Sequence, residues 1–338
     1  MTSPLHHPRL RILGIETSCD DTAAAVLHGK QILANIVSSQ DAIHRPYGGV
    51  VPELASRHHL RNILPIVDQA LKTAEMRLDQ LDGIAVTNGP GLIGSLLVGV
   101  SVAKAIAVAA DLPLIGVNHL EGHLLAVQLE HEVSFPFLCL LVSGGHTSLY
   151  LARGRGEYEL LGATRDDAAG EAFDKGAKML GLGYPGGRVI DQLACGGNPA
   201  AIRFPRAHVK AGQYDFSFSG LKTALRQFLY GQEVSLYRLE DIAASYQEAI
   251  VDMLVERTLH AARQLHIQRV VVSGGVSANS RLRFRFRAAG EEQGLEVYMP
   301  SLKLCTDNAA MIAFAGAWRL ACGQRSAWDL GAFATLRL

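Results

Sequence analysis

Short apolar runs separated by small polar turns follow one another along this chain, and their order occurs twice. Residues 11–15 (Arg-Ile-Leu-Gly-Ile) predict a buried strand, and the polar turn Glu16-Thr-Ser-Cys-Asp-Asp21 follows it. Residues 23–27 and 31–37 predict two further strands, joined at His28-Gly-Lys30. Later, 137–142 predicts an apolar strand, Ser143-Gly-Gly-His-Thr147 a turn, and 148–152 a returning strand. A second unit is also repeated. Residues 83–87 predict a strand, Asn88-Gly-Pro-Gly91 a turn, 92–110 a helix and 113–117 a strand. Its echo is a strand over 269–272, the turn Ser273-Gly-Gly-Val-Ser277, a helix over 278–292 and a strand over 295–298.

Any α/β protein repeats strand, turn and helix, so the echo has a plain reading. The fuller one is a duplicated α/β lobe. Two such lobes with a central ligand cleft, lined by glycine turns at strand carboxyl ends, resemble the actin/hexokinase/Hsp70-like (ASKHA) superfamily. The expected boundaries put the first lobe at 9–131, joined by a C-terminal return over 325–338. The second lobe spans 132–324, with a loop-rich insertion at 205–218.

Glycine makes up 34 of 338 residues, about 10% against a usual 7%, and it clusters at turns. Clustered glycine means backbone that approaches something closely, and phosphate is the commonest candidate. The 32 basic and 32 acidic residues cancel, which excludes a generally basic nucleic-acid coat and an acidic disordered tail. The cancellation is not uniform: residues 1–150 hold 9 basic and 13 acidic side chains, leaving 23 and 19 for the rest. A local basic patch is therefore still open. Five widely spaced cysteines make neither a disulfide framework nor a zinc ribbon. With no signal peptide at the N-terminus and no apolar run long enough for a bilayer, a cytoplasmic protein is expected.

Several segments can carry chemistry. His119 and His123 stand at i and i+4, one face of a helix and a workable metal-ligand pair; one packed and one solvated histidine is the plain alternative. Glu121 lies on the opposite face, badly placed as the base of a metalloprotease. Asp307, before a helix start, is the candidate third ligand. Leu141-Val-Ser-Gly-Gly145 and Val272-Ser-Gly-Gly275 both put Ser-Gly-Gly after an apolar strand, where backbone N–H groups can ring a phosphate. The acids of Asp166-Asp-Ala-Ala-Gly-Glu-Ala-Phe-Asp-Lys175 suit a helix N-terminus, and Asp174, deeper in the pattern, suits a polar ligand. In Arg281-Leu-Arg-Phe-Arg-Phe-Arg287 a solvated helix with two core phenylalanines competes with an RNA phosphate contact.

Taken in order, Val50-Val-Pro-Glu-Leu-Ala-Ser-Arg57, the histidine pair, Leu141-Val-Ser-Gly-Gly-His-Thr147, Asp167-Ala-Ala-Gly-Glu-Ala-Phe-Asp-Lys175, Tyr184-Pro-Gly-Gly187, Asp215-Phe-Ser-Phe-Ser-Gly-Leu-Lys-Thr223, Gly274-Gly-Val-Ser-Ala-Asn279 and Cys305-Thr-Asp-Asn308 resemble the TsaD family. The likeness runs from about residue 10 to about residue 320. It implies transfer of a threonylcarbamoyl group from threonylcarbamoyl-AMP to N6 of adenosine 37 in ANN-decoding tRNAs, with release of AMP. It further implies that His119, His123 and Asp307 bind one metal ion, Fe(II) or else zinc. By the same likeness Leu141, Val142, Ser143, Gly144, Gly145, Asp174, Gly187, Asp191 and Asn279 would hold the adenylate. No residue identifies itself as the general base; Asp20 is the choice, because its turn should face the cleft. The implied partners are tRNA, a TsaB-like paralogue and a TsaE-like ATPase, with no membrane. Departures from the family pattern are Asp21 in place of Glu, Ala309 in place of Gly, and a tail over 331–338 without the usual prolines. An ATPase or small-molecule kinase of the same superfamily, or a scaffold without chemistry, are the competing classes.

Overall fold

The computed structural model describes residues 9–207 and 214–338; part of the expected insertion at 205–218 thus lies outside the described residues. The strands are β1 (Arg11–Glu16), β2 (Asp21–His28), β3 (Gln31–Ser39), β4 (Gly83–Gly89), β5 (Leu114–Asn118), β6 (Phe137–Val142), β7 (Thr147–Gly154), β8 (Glu157–Ala163), β9 (Arg269–Ser273) and β10 (Glu296–Tyr298). The helices that matter here are α1 (Pro52–Thr73), α2 (Ile93–Ala109), α3 (His119–Ala126), α4 (Ala169–Met179), α5 (Gly186–Ala194), α6 (Ser219–Leu229), α7 (Leu239–Leu265), α8 (Ser280–Gln293) and α9 (Ala309–Ala321).

Two five-stranded sheets form, in the orders β3-β2-β1-β4-β5 and β10-β9-β6-β7-β8. In the first, β1 pairs antiparallel with β2 and parallel with β4. In the second, β6 pairs antiparallel with β7 and parallel with β9. Strand for strand the two sheets have one topology, which is the duplication expected from the echo. Of the strands named, β8 is the one the pattern did not predict; its sequence Glu-Tyr-Glu-Leu-Leu-Gly-Ala, part exposed and part half-buried, lies at a sheet edge and so lacks an apolar run.

The chain forms two compact units, Met1–Glu130 with Asp307–Leu338, and His131–Thr306. The return to the first unit thus begins at Asp307, earlier than the expected 325. Helix α9 is the reason. Its small residues let it lie directly on the first sheet: a Cβ on Gly316 would stand 2.3 Å from Ala85 Cβ, and one on Gly14 would stand 2.3 Å from Ala309 O. The first core is built from Leu13, Ile15, Val26, Ile63, Ile84 and Val86, the second from Leu140, Phe173, Phe216, Phe218, Tyr246 and Phe286. Among the described residues no helix is long and apolar enough to cross a membrane.

Candidate metal centre

In the first unit, α3 starts where β5 ends. Asn118 caps it by accepting a hydrogen bond from Leu120 N–H at 2.9 Å, and all eight helical residues are buried. The i, i+4 spacing then stacks the two imidazoles edge to face, with centroids 4.7 Å apart. Asp307 arrives just before Asn308, the cap of α9. Its Oδ1 lies 3.0 Å from His123 Nε2 and 3.6 Å from His119 Nε2. The three residues offer donor atoms within 4.8 Å of one another. Two imidazoles and one carboxylate are a donor set that suits Fe(II) or Zn(II) and leaves coordination positions for solvent or substrate. The histidine side chains are buried, whereas that of Asp307 is 22% exposed, so the open direction is on the carboxylate side.

Behind the ligands stands a residue the sequence reading passed over. Glu16, at the end of β1, is fully buried. Its Oε1 accepts from Ser18 N–H at 2.5 Å and its Oε2 from the Thr87 hydroxyl at 2.6 Å. The same Oε2 lies 3.0 Å from His119 Nδ1. A carboxylate there fixes the proton of His119 on Nδ1 and leaves Nε2 facing Asp307, the arrangement that orients metal-bound histidines. Burial works against the charge on Glu16, yet the charge and hydrogen bond of His119 hold its pKa below the ordinary range. Burial alone would lower the His119 pKa; Asp307 and Glu16 reverse this and lift it to about 9. Nearby, burial together with Asp307 and Asp20 pushes Asp21 up to about 8. Asp20 is raised too, by burial, against the Cys19 thiol that hydrogen-bonds to it. Such crowding of carboxylates around two imidazoles favours a bound cation, so the residues present fit a metal ion.

The turn that bears Thr17 to Asp20 is wedged by glycines. A Cβ on Gly91 would meet Ser18 O at 2.5 Å, and one on Gly99 would meet Thr17 Oγ1 at 2.3 Å. For this cluster the closely approached partner is protein, not phosphate. Glu121, expected away from the ligand face, pairs with Arg319 at 2.7 Å.

In the second unit, Gly144 and Gly145 are exposed, and a Cβ on either would meet nothing within 4 Å. The N-terminus of α4 packs on this turn, with Gly170 N–H donating to Ser143 O at 3.2 Å. Open backbone beside a helix start is a workable anion cradle. Leu141 and Val142 are fully buried in β6, so only their backbone could serve a ligand. The second Ser-Gly-Gly turn is divided: Gly274 has φ +91° and its Cβ would strike Val142 O at 2.3 Å, whereas Gly275 is open. Asp174 accepts from Gly186 N–H at 2.7 Å and so ties α4 to the start of α5, beside Gly187. Asp191 on α5 accepts from Ser280 N–H and Oγ at 3.0 and 2.7 Å. Asn279 caps α8 and donates to Gln247 Oε1 at 2.7 Å. These polar groups gather around the starts of α5 and α8, and each already holds two elements together.

Two expectations change. Asp166 does not serve the helix it precedes. It accepts from Phe218 and Ser219 N–H at 2.7 and 3.2 Å, capping α6 from a distance in sequence. The arginine run is largely spoken for. Arg281 forks onto Glu248 at 2.6 and 2.9 Å, Arg285 pairs with Glu248 and with Asp252, and Arg283 donates to Pro300 O at 3.1 Å. Phe286 is buried as expected, while Phe284 is 57% exposed.

Residues 31–314 match the family model described as TsaD, tRNA N6-adenosine threonylcarbamoyltransferase. The chain belongs to the TsaD family. It is 58% identical to the tRNA N6-adenosine threonylcarbamoyltransferase of Anaeromyxobacter dehalogenans over 332 residues, 97% of this chain and 99% of that one. Its identity to the protein of the same name from Symbiobacterium thermophilum is 53% over 330 residues, 97% and 96% of the two chains. Among solved structures, full-length HypF in its phosphate- and nucleotide-bound form aligns with a TM-score of 0.65 at 15% identity, covering 96% of this TsaD-family chain and 57% of HypF. The activator of the 2-hydroxyisocaproyl-CoA dehydratase from Clostridium difficile, with bound ADPNP, aligns at 0.51 and 15% identity, over 94% and 99%. At that identity the likeness concerns the ASKHA fold alone.

Proposed function

We propose that this chain transfers the threonylcarbamoyl group of threonylcarbamoyl-AMP to N6 of adenosine 37 in ANN-decoding tRNAs, forming N6-threonylcarbamoyladenosine and AMP. The observation that carries the reading is the buried His119, His123, Asp307 group with Glu16 behind it, in a chain of the TsaD family. In the step, the N6 amine attacks the carbamoyl carbon, the bond from that carbon to the phosphate oxygen breaks, and AMP leaves with the electron pair. Asp20 is the proposed acceptor of the N6 proton. Burial raises its pKa and so makes its carboxylate a stronger base. The backbone amides of Ser143, Gly144 and Gly145 are the proposed cradle for the phosphate, supported by the open space around both glycines. The groups around the starts of α5 and α8, Asp174, Gly187, Asp191 and Asn279, are proposed to bound the nucleoside end of the adenylate.

His119, His123 and Asp307 are the proposed ligands of one Fe(II) ion, with zinc as the competing metal. When bound, the metal supplies Lewis acidity toward a phosphate or carbonyl oxygen. A TsaB-like paralogue is the proposed partner on α1 and α2. There Leu60, Leu64, Ile93 and Leu97 are all about half exposed or more, in two i, i+4 pairs. A TsaE-like ATPase and a cytoplasmic setting complete the reading.

The test is nucleoside mass spectrometry of tRNA from cells depleted of this protein. Loss of N6-threonylcarbamoyladenosine, restored by the wild type and not by His119→Ala, is expected. An unchanged level would remove the proposal. Rapid turnover of ATP by the purified chain alone would favour the small-molecule kinase or ATPase reading instead.

A further inference from the structure

With zero net charge overall, a tRNA partner must be met by a local surface, and in the arginine run that looked suited to it Arg281 and Arg285 are paired with Glu248 and Asp252 while Arg283 donates to Pro300 O. A different cluster lies between α4 and α6. A cavity of about 410 Å³ is lined by Lys175, Lys178, Met179, Lys222, Thr223 and Arg226. The cations come in two rows: Lys175 and Lys178 at i, i+3 on α4, and Lys222 and Arg226 at i, i+4 on α6.

One carboxylate organises the inner pair. Asp167 Oδ1 accepts from Lys175 Nζ at 2.8 Å and its Oδ2 from Lys222 Nζ at 2.6 Å. Glu171 adds a second contact to Lys175, at 2.6 Å. Four cations therefore face two carboxylates, which leaves two positive charges uncompensated. Those charges are at the rim: Lys178 and Arg226 are exposed and form no side-chain ion pair among the described residues. The lining contains no acidic residue, and Thr223, also exposed, adds a hydroxyl. Ammonium and guanidinium groups in two rows, without a stacking aromatic in the lining, are the chemistry that meets phosphates in series and ignores base identity.

We propose that the cavity between α4 and α6 is a docking surface for the phosphodiester backbone of tRNA, with Lys178 and Arg226 as its outer contacts and Lys175 and Lys222 as its inner ones. This rests on tRNA being the substrate and adds where the chain grips it. It makes affinity, not base identity, depend on this surface.

The experiment measures tRNA binding to the full-length chain by fluorescence anisotropy across a range of salt. The variants are Lys178→Glu/Arg226→Glu, the charge-conserving Lys178→Arg/Arg226→Lys, and a control of equal charge change on the same unit, Arg153→Glu/Arg287→Glu. Two lost phosphate contacts flatten the slope of log K against log salt by about 1.4–1.8 and weaken binding about tenfold or more near physiological salt. The charge-conserving pair and the control should keep the wild-type slope. Unchanged circular dichroism and metal stoichiometry keep folding out of the comparison. A wild-type slope in Lys178→Glu/Arg226→Glu, or an equal loss in the control, overturns the proposal. So does competition for the cavity by millimolar inorganic phosphate or AMP that leaves tRNA affinity untouched, since the site would then serve a free phosphate. Wild-type protein that binds no tRNA at all strikes instead at the transferase reading.

Discussion

Replacing Glu16 by Gln tests the metal centre through a residue that touches no metal. The carboxylate has three donors around it: Ser18 N–H on Oε1, and the Thr87 hydroxyl and His119 Nδ1 on Oε2. An amide offers one oxygen and one NH2. If its oxygen keeps the Ser18 N–H, the NH2 faces Thr87 and His119, and a donor now stands opposite Nδ1. Only the Ser18 hydroxyl, 3.1 Å from Nδ1, is then left to accept a proton there, so His119 is biased toward carrying it on Nε2, the atom turned toward Asp307, and that lone pair is withdrawn from the metal. If the amide is reversed, its NH2 meets the Ser18 N–H instead, and the turn itself is disturbed. Either way, losing the partner that orients a metal-binding imidazole costs about 10–100-fold in metal affinity, or about 1.4–2.7 kcal/mol. Glu16→Asp keeps the charge and shortens the reach by one methylene, so its loss should be smaller. Competition against a chromophoric chelator with Co(II) or Zn(II) reads the affinity, and thermal unfolding of the metal-free proteins checks that each variant is folded. Folded Glu16→Gln with wild-type metal affinity would refute the argument that Glu16 sets the tautomer of His119.

Further outcomes follow from the same geometry. Asp307→Asn should reduce bound metal from one equivalent toward none, read by elemental analysis after dialysis, because the neutral amide is a poorer ligand between two imidazoles. Leu60→Asp/Leu64→Asp should abolish co-elution with a TsaB-like paralogue and leave metal affinity unchanged; retained co-elution would place the partner elsewhere. Asp166 and Asp167 both titrate below the ordinary carboxylate range: against the cost of burial, Asp166 is held there by the Ser217 hydroxyl and the amides that begin α6, Asp167 by Lys175 and Lys222. A depressed carboxylate stabilises the fold above its unfolded pKa, and that contribution is lost as pH falls through the folded value. Asp166→Ala should therefore lower stability by about 1 kcal/mol at pH 7, with the gap to wild type closing below about pH 4. Urea unfolding at pH 7 and pH 3 checks it, and an equal gap at both would contradict the capping role.

Which parts of this protein were legible in its sequence follows from where each signal resides. The paired sheets were legible because buried strands must be apolar runs and their turns must be small and polar; β8 escaped because an edge strand need not be apolar. The histidine pair was legible because helical spacing alone puts i and i+4 on one face. Glu16 was not, since a single acid after an apolar strand reads as the first residue of a turn. Its role exists only because β4 brings Thr87 and α3 brings His119, 71 and 103 residues away in sequence, to the same carboxylate. The basic residues show the limit most sharply. Arg281 to Arg287 is conspicuous as a string, yet α7 supplies Glu248 and Asp252 to three-dimensional neighbours that no local pattern contains. Lys178 and Arg226 are unremarkable in sequence, 48 positions apart, and become one surface only when α4 and α6 pack. Charge density along a chain measures how many charges there are, whereas binding depends on how many are left after the fold has paired its own.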